Sequence, residues 1–273
     1  MPEKAWDGAF EIPCPGRSDK PRRTGLTMVI DKGLGENQIG DLIRTAGGSI
    51  DIIKLTFGTS AFYGRADLKR KNEFITAAGI RVMPGGTFLE VSVWQKTWPA
   101  YLDRARELGF TGVEVSDGTI EIDRSTRRDI IRKALGLGFQ VITEVGKKDP
   151  AEAPPIEMVQ ALIREDLENG AFKVIIEARE AGRGVGIFDK EGKTRADEID
   201  RILAGGAAAD DLVWEAPLKN QQQDLILRFG VNVNLGNIPP EEVLALEALR
   251  QGLRGDTLKR AYLASRQSSA SRS

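Results

Sequence analysis

The sequence predicts an α/β fold, a single (β/α)8 TIM barrel. Short β-branched runs alternate with segments of helical periodicity eight times. The units are evenly spaced, with no linker or compositional break between them. A chain of 273 residues with 41% hydrophobic content suits one large core. A doubly wound sheet is the rival architecture, and the even spacing favours closure.

Residues 1–24 read as a polar arm, 25–264 as the barrel and 265–273, serine-rich and of low complexity, as a disordered tail. Within the barrel, Thr27 to Asp31 (TMVID) reads as a strand and Gly35 to Gly48 as a helix with Ile39, Leu42, Ile43 and Ala46 on one face. Asp51 to Phe57 then precedes the helical Leu68 to Ala78, and Arg81 to Pro84 precedes a loop and the helix Trp98 to Leu108. Gly112 to Ser116 leads to Ser125 to Leu135, and Gln140 to Val145 leads to Ile156 to Glu168. Phe172 to Glu177 is followed by a glycine-rich loop and Arg195 to Leu203; Leu212 to Glu215 is followed by Gln221 to Phe229. Val231 to Leu235 (VNVNL) and Pro240 to Leu253 complete the set. Gly47, Gly79, Gly109, Gly138, Gly170, Gly206 and Gly230 fall where helix ends need them.

Composition narrows the chemistry. A formal net charge of −1, from 39 basic and 40 acidic residues, points away from nucleic acid and anionic membranes. The single cysteine, Cys14, excludes an intramolecular disulfide framework and fits a reducing cytoplasm. The first residues lack the apolar core of a secretory signal, and no stretch reaches transmembrane length, so a soluble protein is expected. There is no histidine. That excludes a Ser-His-Asp triad and histidine-ligated zinc, and leaves acid–base work to Lys, Glu, Asp, Tyr or Cys. Any metal site must be carboxylate-based, which suits magnesium or manganese.

Side chains alternate across a strand. In VNVNL, Val231, Val233 and Leu235 are expected against the helices, which points Asn232 and Asn234 into the barrel. By the same count Asp31, Lys54, Glu114, Glu144, Glu177 and Glu215 gather near one mouth, at the C-terminal strand ends where barrel active sites lie. Buried carboxylates cost on the order of several kcal/mol each unless cations offset them. Lys54, with Lys147 and Lys148 from the loop after VITEV, can offset some, and a divalent ion more. We therefore read a Mg²⁺-type site built from some of Glu114, Glu144 and Glu177, with a structural Lys/Arg network as the other reading of the same acids.

Three loops add candidates. Gly85-Gly86-Thr87 offers backbone N–H groups to an anion, or is a bare turn. Gly182 to Gly186 reads as a mobile active-site loop, with Arg179 and Arg183 able to meet a substrate anion or to stay solvated. Gly236 and Asn237, ahead of Pro239 and Pro240 at a helix start, can hold phosphate or simply cap.

Taken together, these residues resemble the phosphosulfolactate synthase family. The resemblance is carried by Asp31-Lys32-Gly33, Lys54 with Phe57-Gly58-Thr59-Ser60, Gly85-Gly86-Thr87 with Glu90, and Glu114-Val115-Ser116-Asp117-Gly118. It continues through Thr143 to Lys148 (TEVGKK), Glu177-Ala178-Arg179-Glu180, Trp214-Glu215-Ala216-Pro217 and Asn232 to Ile238, and spans roughly Gly25 to Leu263. It implies a Mg²⁺-dependent barrel lyase that adds sulfite to phosphoenolpyruvate, giving (2R)-2-phospho-3-sulfolactate, an early step of a coenzyme M route. Sulfite attacks the methylene carbon, a metal-stabilised enediolate develops, and a lysine protonates the α-carbon. Lys148 or Lys147 is the implied acid, with Lys54 a further catalytic candidate. The substrate-binding candidates are Asp31, Lys32, Gly86, Thr87, Arg179, Arg183, Asn232, Asn234, Gly236 and Asn237. A lysine flanked by other cations would have its pKa lowered, which suits proton transfer near neutral pH. The family also suggests a homo-oligomer. A Schiff-base lyase using Lys54 or Lys148, and a non-catalytic stress-related member, are the competing readings.

Overall fold

The computed structural model describes residues 4–270, with side chains described through residue 267. Its strands are β1 (Thr27–Asp31), β2 (Ile52–Leu55), β3 (Arg81–Pro84), β4 (Gly112–Val115), β5 (Gln140–Val145), β6 (Lys173–Ile176), β7 (Leu212–Glu215) and β8 (Leu235–Ile238). They form one parallel sheet in the order β3-β2-β1-β8-β7-β6-β5-β4. At the seam between β3 and β4, the Thr111 N–H donates to the Val82 carbonyl at 3.0 Å. The architecture is a (β/α)8 TIM barrel, as the alternation predicts.

The helices are α1 (Glu36–Ala46), α2 (Arg65–Ala77), α3 (Gly86–Trp94), α4 (Trp98–Glu107), α5 (Arg124–Gly136), α6 (Ile156–Glu168), α7 (Ala196–Leu203), α8 (Lys219–Phe229), α9 (Val243–Arg250) and α10 (Gly255–Ala270). The two-residue period of each strand divides the apolar side chains into two cores. Val29, Ile53, Val82, Val113, Val141, Val174 and Trp214 face the helices. Met28, Ile52, Met83, Ile142, Ile175 and Val213 fill the barrel interior. Residues on the same inward phase, two positions further on, reach the C-terminal mouth. Among the described residues no helix is long and apolar enough to cross a membrane.

Several expectations are corrected. The stretch after Pro84, read as a loop, is helix α3: FLEVSVW is mostly apolar but shows no amphipathic stripe, and it buries Leu89, Glu90 and Ser92 while Val91 and Trp94 stay exposed. Gly47 keeps a right-handed φ of −57° as a short 3-10 turn follows, whereas the other six cap glycines have φ between 69° and 100°. Helix α10 continues through the serine-rich stretch as far as Ala270, since an established helix propagates more easily than it nucleates. Residues 271–273 of the expected tail, and 1–3 of the arm, lie outside the described residues.

The last strand is displaced most. It runs Leu235–Ile238 rather than Val231–Leu235. Asn234 Oδ1 accepts from Leu26 N at 3.0 Å, and its amide donates to the Asp210 and Leu212 carbonyls at 2.8 and 2.9 Å. It therefore stitches the N-terminal ends of three strands. Asn232 lies beyond the strand, accepting from Ser18 N at 2.9 Å and donating to the Gly16 carbonyl at 2.7 Å, so it binds the N-terminal arm. Both asparagines sit at the end of the barrel opposite the mouth, and neither is a substrate contact there.

Candidate active site

A cavity of about 360 Å³ opens at the C-terminal strand ends, with Lys54, Glu114, Glu144, Lys148, Glu177 and Glu215 in its wall. Four of these side chains continue an inward phase, Lys54 after Ile52, Glu144 after Ile142, Glu177 after Ile175 and Glu215 after Val213, whereas Lys148 comes from the loop after β5. The four glutamates are 2–3% exposed. Such burial of like charges demands partners.

Lys54 supplies one, standing 3.0 Å from Glu114 Oε2 and 3.2 Å from Glu215 Oε1. Burial works against its charge, but Glu114, Glu215 and Glu144 together hold its pKa well above the usual lysine value. Lys148 supplies the other. Its Nζ donates to Thr87 Oγ1 at 2.7 Å and lies 3.9 Å from Glu90, Glu144 and Glu177. Burial again opposes the charge, and the surrounding carboxylates, Glu144 and Glu177 foremost, outweigh it and raise the pKa. The lowered pKa expected from neighbouring cations is therefore reversed: this lysine faces acids, and Lys147 points elsewhere. Lys147 Nζ donates to the Asp117 carbonyl and stands 3.6 Å from Asp117 Oδ2; it lines a separate cavity of about 400 Å³ toward α6 and α7. That separation sets Lys148, and not Lys147, inside the site.

Of the three expected metal ligands, Glu144 and Glu177 come together and Glu114 does not join them. Glu114 is taken up by Lys54 and by the Gly86 N–H, which donates to Glu114 Oε1 at 2.7 Å. Glu215 takes the third place: Glu144, Glu177 and Glu215 each offer an oxygen within 4.8 Å of the others. Glu144 Oε1 and Glu177 Oε2 are buried without a hydrogen-bond partner. Burial and then the charges of Glu177, Glu114 and Glu215 push the Glu144 pKa well above the carboxylate range. Burial and Glu215 push that of Glu177 to about 7, against the pull of Lys148. Orphaned oxygens on crowded acids are the donor set a hard divalent cation takes.

The remaining candidates divide. Gly86 and Thr87 line the cavity, but the anion at the Gly86 N–H is Glu114 of the same chain; a Cβ at Gly86 would meet Ser116 Oγ at 2.6 Å and Glu114 Oε1 at 2.8 Å. Arg179 reaches the cavity from a left-handed backbone (φ 62°), its N–H donating to Glu177 Oε1 at 2.5 Å and its guanidinium to the Lys148 carbonyl at 3.3 Å. Asn237 also lines it, with φ 55°. Lys32 pairs with Glu180 across the rim.

Asp31 turns away, because Met28 and Ile30 hold the inward phase of β1. Its carboxylate lies 2.6 Å from Lys71 Nζ and accepts from the N–H groups of Gly33 and Leu34 at 2.8 and 2.7 Å. Gly236 lies below the mouth, where a Cβ would meet Met28 Cε at 2.7 Å. Arg183 is exposed and outside the cavity. The loop around it, expected to be mobile, is anchored by buried Val185, Ile187 and Phe188 and by Gln221 Nε2, which donates to the Gly182 carbonyl at 2.6 Å.

One residue had no assigned role. Glu90, 1% exposed in the apolar helix α3, accepts from Ser116 Oγ at 2.6 Å and from the N–H groups of Thr119 and Ile120 at 2.8 Å each. It clamps the loop after β4, whose Gly118 carbonyl accepts from Lys148 N at 3.0 Å. Its signal in the sequence is an acid in a helix with no polar face.

The family model described as (2R)-phospho-3-sulfolactate synthase (ComA) matches residues 15–256. The phosphosulfolactate synthase of Methanothermobacter thermautotrophicus is 43% identical over 93% of this chain and 99% of that protein. That of Methanocaldococcus jannaschii is 44% identical over 85% and 93%, and that of Bacillus subtilis 37% over 91% and 98%. Among solved structures, 3-hexulose-6-phosphate synthase from Salmonella typhimurium aligns over 87% of this chain and 97% of its own, with TM-score 0.54 and 14% identity, a likeness of fold.

Proposed function

The chain belongs to the (2R)-phospho-3-sulfolactate synthase family, a family of carbon–sulfur lyases, and we propose that it adds sulfite to phosphoenolpyruvate with Mg²⁺ at the buried carboxylates and Lys148 as proton donor. The observation that carries this reading is the trio Glu144, Glu177 and Glu215, gathered within 4.8 Å beside Lys148 at the strand ends.

The cavity wall holds five carboxylates, counting Glu180, against Lys54, Lys148 and Arg179. Two anionic substrates need more positive charge than that. Mg²⁺ held by Glu144, Glu177 and Glu215 would supply it beside the substrate carboxylate, where charge develops. The sulfur of sulfite bonds to the methylene carbon, the double-bond pair moves toward the carboxylate, and Lys148 gives one proton to the α-carbon. The product is (2R)-2-phospho-3-sulfolactate, with no change in net oxidation. The acids around Lys148 keep it protonated but make it a weaker acid; Mg²⁺ at Glu144 and Glu177 would offset the two carboxylates that raise its pKa most, while Thr87 fixes its direction. Lys54 neutralises Glu114 and Glu215 from below. Arg179 and Asn237 from the cavity wall, with Lys32 beside Glu180, would receive the phosphate.

A Schiff-base lyase needs a neutral amine, and both cavity lysines are held as ammonium ions by carboxylates. The proposal includes a cytoplasmic, homo-oligomeric enzyme, and sedimentation velocity tests the assembly. The activity itself is tested by phosphorus NMR of phosphoenolpyruvate with Mg²⁺, with and without sulfite. A new phosphate-ester resonance that requires both is expected; its absence refutes the substrate assignment.

A further inference from the structure

At the opposite end of the barrel, the inner face terminates in cations. Arg81 and Lys173 open β3 and β6 on the inward phase of Met83 and Ile175. With Arg23 from the N-terminal arm they surround one ring. The Arg23 and Arg81 guanidinium carbons each stand 5.7 Å from the centroid of Phe172, and Lys173 Nζ stands 4.9 Å from it. Phe172 in turn packs against the interior core from below.

These charges have no direct acidic partner, although Asp51 favours the charge on Arg81. Among the described residues none of the three makes a side-chain hydrogen bond or ion pair, although Lys173 is only 5% exposed. The nearby acids are committed or distant. Asp51 pairs with Arg22 at 3.3 Å and accepts from Thr27 N at 2.9 Å. Asp210 and Asp211 favour the charge on Lys173 without reaching ion-pair distance. Lys20, bound to the Gly47 and Ile50 carbonyls, adds a further cation to this end. A ring face attracts each cation but leaves their mutual repulsion in place.

We propose that Arg23, Arg81 and Lys173 form an anion site at the N-terminal mouth of the barrel, for a small oxyanion of the phosphate class. Two guanidinium forks match tetrahedral oxygens, and an ammonium rising from inside the barrel meets a third. The occupant is inorganic phosphate or a phosphate monoester, and it ties the arm to β3 and β6 at the end remote from the chemistry.

The test is thermal unfolding of the full chain with inorganic phosphate or glycerol 3-phosphate, against sodium chloride at equal ionic strength. The Tm should rise by about 3 °C at a tenfold excess over Kd. The rise should be the same in Lys148→Ala, which alters the active site, and should disappear in Arg81→Met and Lys173→Met, whose kcat stays within about twofold of the parent. If those variants do not fold, Arg23→Gln, in the exposed arm, should lose at least half of the rise. Whichever ligand gives the rise identifies the source. A rise no larger than with chloride, one undiminished in these variants, or one lost in Lys148→Ala overturns the proposal.

Discussion

Replacing Glu90 by Gln changes one atom and removes one charge from the clamp behind Lys148. The carboxylate accepts three hydrogen bonds, from Ser116 Oγ and from the Thr119 and Ile120 N–H groups. Bonds to a charged acceptor contribute about 1 kcal/mol more than neutral ones, so three weakened bonds amount to roughly 3 kcal/mol. For a domain of this size that lowers Tm by about 6–12 °C. The catalytic effect is separate. The loosened loop carries the Gly118 carbonyl that fixes the Lys148 backbone at 3.0 Å, and the new amide faces an ammonium 3.9 Å from the original oxygen. Displacing a reacting group by about 1 Å costs on the order of 100-fold in rate. Because Glu90 does not line the cavity, KM for phosphoenolpyruvate should change little while kcat falls. Steady-state kinetics followed by phosphorus NMR, with urea unfolding alongside, measures both. A kcat within about twofold of the parent, with stability changed by less than about 0.5 kcal/mol, would refute the clamp.

Other consequences are sharper in direction than in size. Lys148→Ala should lower kcat by about 10²–10⁴-fold, whereas Lys147→Ala, aimed at Asp117, should cost less than about tenfold; equal losses in steady-state assays contradict the assignment. Glu215→Gln should raise the Mg²⁺ concentration needed for half-maximal rate more than Glu114→Gln does, because both acids pair with Lys54 but only Glu215 belongs to the trio; the reverse order in a Mg²⁺ titration counts against that set. The raised pKa of Glu177, about 7 against 4.5, means that the metal-free folded state holds a proton the unfolded chain has released. In EDTA, stability should therefore be highest below about pH 4.5 with respect to this group and fall as pH rises toward 7, and Mg²⁺ should flatten the fall. Urea midpoints that rise across that window in EDTA contradict it. Asn232→Ala should free the arm at about 1–3 kcal/mol without lowering kcat, and a large loss of activity at normal stability would return Asn232 to the site.

How far the site was legible follows from the range of the forces involved. Lys54, Glu114, Glu144, Glu177 and Glu215 could be placed at the mouth because the strand period is local and the same run of residues states both the strand and its phase. Asp31 was legible in principle: Met28 and Ile30 already claim the inward phase of TMVID, and the acid falls on the other. Asn232 and Asn234 were not, since VNVNL and LGNI are equally plausible strands. The choice is made by Leu26, whose carbonyl accepts from Leu235 N and whose N–H is taken by the Asn234 side chain, more than 200 residues apart in sequence.

The sequence by itself determined an eightfold alternation, a chemistry without histidine and a mouth rich in carboxylates and lysine. Those properties depend on composition and on periods of two and 3.6 residues. Only the tertiary structure decided which acid serves which cation. Glu114 and Glu215 are both inward acids at strand ends, yet Glu114 meets Lys54 and the Gly86 N–H while Glu215 also completes the trio with Glu144 and Glu177. That choice, and with it the raised pKa of Lys148, depends on distances between strands, and over a few ångströms in a buried site those distances set the electrostatics.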